Sequence, residues 1–244
     1  MDKTSLGDRM KLHEGAYRRH LTRRMPVVVR VDGRAFHSMT KKWKCSRPFD
    51  SQIIYAMLNA ATALANEMQG FKVAYIQSDE ASFVMTDYDG LHSQGWFDYN
   101  HSKIVSISAS IMSGRFNTGY LGRNHGDAQF DSRAFNVPRE DVSNYFLWRG
   151  LDWHRNSIHM YASSVFSHKQ LHKKNQNDMK NMLKEEGKSW EDDLCDMTKN
   201  GTFLFRDKDA PNGISVQCDI RPSYKEISEL VEPLINPKET VECE

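Results

Sequence analysis

The chain has 244 residues, 39% of them hydrophobic and 27% charged, which is enough apolar material for a sizeable core and too much for a disordered chain. Thirty-three Lys and Arg against 32 Asp and Glu leave a net charge of +1, so overall charge does not identify a polyanionic partner and leaves nucleic-acid contact to local clusters. Four scattered cysteines with no CxxC pair (Cys45, Cys195, Cys218, Cys243), a charged amino terminus and no apolar run of roughly 20 residues predict neither zinc site, disulfide framework, signal peptide nor membrane span, and a cytoplasmic protein.

In chain order, the β-branched run Val27 to Val31, behind Pro26 and broken by Asp32 and Gly33, predicts a buried strand entering a tight loop. Asp50 then caps a helix whose apolar positions, from Ile53 to Met68, recur at helical spacing, with Gly70 as its stop. Val73 to Gln77 and Ser82 to Thr86 predict a hairpin with Ser78, Asp79 and Glu80 at its tip. A second long helix from about Tyr99 to Phe116 and a strand from Phe130 to Val137 complete a βαββαβ order.

Pro138, with Glu140 and Asp141 behind it, opens a mainly helical region to about Leu183, with interruptions expected near Gly150 and Asn156. Thr202 to Phe205 and Ile214 to Cys218 are short strand candidates in a tail whose architecture the pattern leaves largely unread. The absence of repeats, low-complexity tracts and linkers predicts one integrated domain over residues 1–244.

In a βαββαβ unit the crossover makes the first two strands parallel, and the hairpin inserts the third between them, antiparallel to both. Asp32 at the end of the first strand and Asp79 and Glu80 at the hairpin tip therefore share one sheet border. Clustered carboxylates need a positive charge to offset their repulsion, and oxygen ligands without Cys or His favour magnesium, which usually also takes substrate phosphates. The DGRAFH loop adds a glycine that lets backbone N–H groups approach a phosphate, although Asp-Gly after a strand is more often an ordinary turn.

The segments VVVRVDGRAFH, RPFD, YIQSDEASFVMTDY, WFDYNHSKIVSISAS, FDSRAF, NYFLWRGLD and HRNSIHMYASSVFS, in this order, resemble the tRNA-His guanylyltransferase family, and more its bacterial and phage-type members than the eukaryotic enzyme. The resemblance implies an α+β, polymerase-palm or ferredoxin-like core over residues 1–137 with a helical extension and tail over 138–244. It also implies a nucleotidyltransferase that adds nucleotides in the 3′-to-5′ direction to the 5′ end of tRNA. In family terms two magnesium ions sit on Asp32, Asp79, the Gly33 carbonyl and Glu80. The nucleoside triphosphate sits on Asp32, Gly33, Arg34, Ala35, Phe36, His37, Arg47, Ser78, Asp79 and Lys103. ATP or GTP activates the RNA 5′-monophosphate, the 3′-hydroxyl of an incoming NTP attacks it, and the protein is a homotetramer, a dimer of dimers.

Two departures stand out. Arg47 occupies the place of a family lysine in RPFD, and His159 and Met160 break the family pattern in HRNSIHM, whereas His154, Asn156 and Ser157 match it. General repair of tRNA 5′ ends is therefore expected over addition to tRNA-His alone. Arg18, Arg19, Arg23 and Arg24, then His154, Arg155, Asn156 and Ser157, and finally Lys169, Lys173 and Lys174 are RNA-contact candidates, each set having a solvated or packed surface as its plainer reading. A nucleotide cyclase and a non-catalytic RNA-binding module are the competing functions.

Overall fold

The computed structural model describes residues 5–120, 126–210 and 212–236. Its elements run α1 (Leu6–Gly15), β1 (Val27–Gly33), α2 (Phe36–Trp43), α3 (Ser51–Glu67), β2 (Phe71–Gln77), β3 (Glu80–Met85), α4 (His101–Gly119) and β4 (Phe130–Asn136). Then follow α5 (Val142–Val165), α6 (His168–Leu171), α7 (Gln176–Glu185), α8 (Trp190–Asp193), α9 (Asp196–Asn200), β5 (Thr202–Arg206), β6 (Ile214–Gln217) and α10 (Tyr224–Ile235). The strands form one antiparallel sheet in the order β4-β1-β3-β2-β5-β6, an α+β architecture.

β3 lies between β1 and β2 and antiparallel to both, as the hairpin argument requires. Alternation along each strand divides the core between the two faces of the sheet. Val27, Val29 and Val31 pack with Ala60, Leu64, Ile104 and Met112 of α3 and α4, whereas Val28, Val73 and Val84 pack with Tyr145, Phe146, Ile227 and Val231 of α5 and α10. Asp50 caps α3 by accepting from the N–H groups of Gln52 and Ile53.

Several expectations need correction. Gly70 does not end α3, which stops at Glu67; it turns the chain into β2 with φ 76°, where a Cβ would stand 2.1 Å from the Thr86 carbonyl oxygen. Pro138 precedes a short 3-10 turn, Arg139–Asp141, rather than the α-helix itself. α5 is unbroken through Gly150 and Asn156. Gly150 serves packing, because a Cβ there would meet the Pro222 Cβ at 3.0 Å. The strand candidates of the tail, by contrast, appear as expected: β5 joins β2 and β6 joins β5, while α10 covers the sheet beside α5.

Candidate active site

The site grows from one row of the sheet. Cross-strand partners share a face, and the register Asp32↔Asp131, Asp32↔Glu80 and Gln77↔Glu80 sets Asp131, Asp32, Glu80 and Gln77 side by side. Two residues further along the strands, the same face carries Arg133, Arg30, Ser82 and Tyr75. An acidic row thus borders a basic one. Asp131, which the sequence reading passed over, is on the edge strand, 3.4 Å from Arg133.

Asp79 stands just off the strands, between Ser78, whose φ is 51°, and Glu80. Its carbonyl accepts from the Gly33 N–H at 3.0 Å, which ties the end of β1 to the hairpin tip. The side chain crosses Gly33 so closely that a Cβ there would lie 2.8 Å from Asp79 Oδ2 and 2.2 Å from Phe36 Cδ2. Burial, with the charges of Asp32 and Glu80 added, pushes the Asp79 carboxyl up to about 6, against a smaller opposing hydrogen bond from Ser78.

Glu80 is placed differently from its expected role as a metal ligand. Both its oxygens are taken by Arg149 of α5, Nε to Oε1 at 2.7 Å and Nη2 to Oε2 at 2.8 Å. Arg30 stands 3.9 Å away. Burial raises the Glu80 carboxyl, and the two guanidinium groups oppose that rise. Among the described residues no group of three or more His, Cys, Asp and Glu side chains is arranged to hold a metal. Asp32, Asp79 and the Gly33 carbonyl remain as the donor set. Two hard carboxylates and a carbonyl oxygen at one sheet border, beside a cavity with room for water and phosphate, suit magnesium.

Two cavities meet here. One, of about 370 Å³, holds Asp32, Asp79, Glu80, Arg149, Asp152 and Asn156 in its wall. The other, of about 770 Å³, runs from His37, Lys41, Lys44 and Arg47 over Ile53, Ile54 and Met57 to Thr198 and Thr202. It has the size of a ligand pocket, with cationic groups at its mouth and apolar groups beneath. Ala35, at φ 55°, turns the chain into α2, Phe36 packs against Phe116 and Phe130, and Arg34 is held by Gln129.

α5 presents one stripe to these cavities: Arg149, Asp152, Trp153, Asn156, His159, Met160, Ser163 and Ser164. This is helical spacing for one face. Residues between those positions turn elsewhere. His154 packs edge-on against Trp190 at 4.8 Å, its Nδ1 buried without a partner, and burial lowers its pKa. Arg155 is exposed and pairs with Asp152, and Ser157 is buried and accepts from Trp190 Nε1 at 3.3 Å. Of the contact candidates His154, Arg155, Asn156 and Ser157, only Asn156 lines the site.

Other expected contacts are dispersed. Lys103 is exposed in the first turn of α4. The later turns of that helix, not the first, approach the carboxylate end of β4, because Ser108 bonds Ser132, Ser113 bonds the Phe130 N–H and Asn117 bonds Ala128. α4 therefore runs antiparallel to β4 and carries Lys103 away from Asp32 and Asp79. Arg23 pairs with the fully buried Asp87, and Arg24 donates to the Gly90 and Leu91 carbonyls. These two arginines hold the chain after β3. Arg18, Arg19, Lys169, Lys173 and Lys174 are exposed. His168 and His172 belong to a four-residue helix and its cap, with rings 6.5 Å apart.

The sequence reading missed Arg149, Arg30, Asp152 and His159. Arg149 stands inside the quoted segment NYFLWRGLD, but an interruption expected beside it concealed the stripe.

A sheet border with two carboxylates over a hairpin tip, opening on two joined cavities, is the candidate site of an α+β fold. The family model "Thg1: tRNAHis guanylyltransferase" matches residues 7–138. The chain belongs to that family. It is 38% identical to a bacterial tRNA(His) guanylyltransferase (Thg1)-like protein solved in complex with ATP, with a TM-score of 0.86 over 94% of this chain and 99% of that one. A bacterial protein of the same description in complex with GTP is 37% identical, with a TM-score of 0.82 over 96% of this chain and 100% of that one. The probable tRNA(His) guanylyltransferase of Bos taurus is 32% identical over 141 residues, 54% of this chain and 45% of that protein. The chain spans about half the length of the curated relatives it matches.

Proposed function

We propose that the chain is a magnesium-dependent nucleotidyltransferase that adds nucleotides in the 3′-to-5′ direction to the 5′ end of tRNA, acting in templated 5′-end repair. The observation that carries this reading is the meeting of the two cavities at Asp79, where a bound triphosphate and an RNA end would share one metal-suited carboxylate. Asp32, Asp79 and the Gly33 carbonyl would hold the ions. When bound, magnesium would neutralise phosphate charge and favour ionisation of the attacking hydroxyl.

The residues of the chain do the rest. Lys41, Lys44, Arg47 and His37 line the mouth that would take a triphosphate, and Ile53, Ile54 and Met57 form the apolar floor for a base. Arg149 neutralises Glu80 and keeps it out of the ligand set. Asn156 and Asp152 face the cavity left for the RNA end. ATP and GTP are both candidate activators, given the two liganded bacterial neighbours. A homotetramer built from dimers belongs to this reading. The surface available to a second copy includes α1, which buries no side chain and exposes Leu6, Met10 and Leu12. So does a cytoplasmic setting, which suits the free Cys45, Cys195 and Cys218; Cys243 lies outside the described residues. No described helix is long and apolar enough to cross a membrane.

The test is incubation with magnesium, labelled NTPs and a tRNA lacking its first 5′ nucleotides. Growth at the 5′ end that disappears in Asp79→Ala, with folding retained, supports the proposal. Cyclic nucleotide as product, or RNA retention without growth, rejects it.

A further inference from the structure

We infer that His159 is a substrate-contacting residue whose imidazole donates a hydrogen bond to the reacting phosphate where the two cavities join. The inference rests on the nucleotidyl-transfer reading above and deepens it. Six residues belong to both cavity walls: Gln77, Ser78, Asp79, Trp153, His159 and Met160. With nucleotide in one cavity and the RNA end in the other, the α-phosphorus where they join would lie at this junction. Charge builds on its non-bridging oxygens in the transition state, and a preorganised donor at the junction adds to what the ions supply.

The other side chains of the junction are engaged or lack a suitable group. The Trp153 N–H donates to the Thr198 carbonyl at 3.1 Å. The Gln77 amide faces Glu80 and Arg149, the Ser78 hydroxyl bonds Asp79, and Met160 has no donor. His159 is exposed, and its Nδ1 lies 3.4 Å from Ser163 Oγ. The contact with Ser163 occupies Nδ1, and in the tautomer that accepts there Nε2 carries the proton and is free for a ligand. His154, which matches the family pattern, is packed against Trp190 and leaves this place to His159.

The step itself balances without His159 bonding covalently or transferring a proton. A 5′-phosphate oxygen of the RNA bonds to the α-phosphorus of ATP, the bond to the bridging oxygen of the β-phosphate breaks, and pyrophosphate leaves with the electron pair. The imidazole N–H stabilises the charge on the non-bridging oxygens.

The experiment compares wild-type protein with His159→Leu and His159→Gln, using 5′-monophosphorylated truncated tRNA, ATP and magnesium. Single-turnover adenylyl transfer and equilibrium ATP binding are measured separately. The expected result is a transfer rate about ten- to a hundredfold lower in H159L, ATP affinity within about threefold of wild type, and most of the rate restored in H159Q, which keeps a donor. H159L at the wild-type rate overturns the inference, and so do H159L and H159Q slowed equally at unchanged melting temperature. If H159L is unstable, the comparison of H159Q with His159→Glu decides, since Glu reaches as far but repels phosphate; equal rates overturn the inference. Wild-type protein that forms neither adenylylated nor extended RNA overturns the underlying reading before any variant is compared.

Discussion

Arg149 grips Glu80 through both carboxylate oxygens, at 2.7 and 2.8 Å, across 69 positions of sequence. The side chains are only 9% and 11% exposed, so this pair fastens α5 to the acidic row of the sheet in a low-dielectric setting. Removing one partner of such a pair leaves a buried, uncompensated charge.

Arg149→Met is therefore expected to lower the unfolding free energy by about 3–5 kcal/mol. The double variant Arg149→Met with Glu80→Met should recover most of that loss. Urea unfolding of the four proteins in a double-mutant cycle measures the coupling; additive losses would show that the pair contributes nothing specific.

The folded-state value of about 6 for Asp79 lies above its ordinary 3.8. Between about pH 4 and 6 the folded protein retains a proton that the unfolded chain has released, so this group makes stability fall as pH rises. In metal-free buffer Asp79→Asn should remove that part of the slope and melt higher than wild type above about pH 6. Stabilisation of wild type by added magnesium should grow from pH 5 to 7, because the ion requires the carboxylate. Melting curves in chelator and in magnesium across this range are the check.

Gly33→Ala places a methyl group 2.2 Å from the Phe36 ring and 2.8 Å from Asp79 Oδ2. Overpacking of this kind costs roughly 1–3 kcal/mol, and here it also displaces one of the two metal-suited carboxylates. Loss of nucleotide addition should exceed what the fall in stability explains. Gly114→Ala, where nothing lies within 4 Å of the added Cβ, is the control, and it should stabilise α4 by roughly 1 kcal/mol.

Asp50 does two jobs: it caps α3, and its Oδ2 accepts from the Ser46 N–H at 2.9 Å. Asp50→Ala should cost about 1–2 kcal/mol as a lost cap. It should also free the segment that carries Arg47 along the large cavity, so ATP affinity should fall further than in a variant of equal instability elsewhere, as isothermal titration would show.

The βαββαβ order, and hence the shared border of Asp32, Asp79 and Glu80, was legible in the sequence because it depends on local signals: a β-branched run, an Asp cap and paired strands around a polar tip. Strand periodicity and topology convert those signals into position without side-chain detail. What each residue does at that border was decided by contacts between distant segments. Glu80 looked like a third metal ligand until Arg149 arrived from α5, and Gly150 looked like a helix break although it makes room for Pro222. His154 and His159 are alike in composition, but only their angle around an unbroken helix turns the one toward Trp190 and the other toward the site. Local propensity determines which elements form; packing between elements determines which face of each meets the ligand, because that free energy arises only when the far parts of the chain come together.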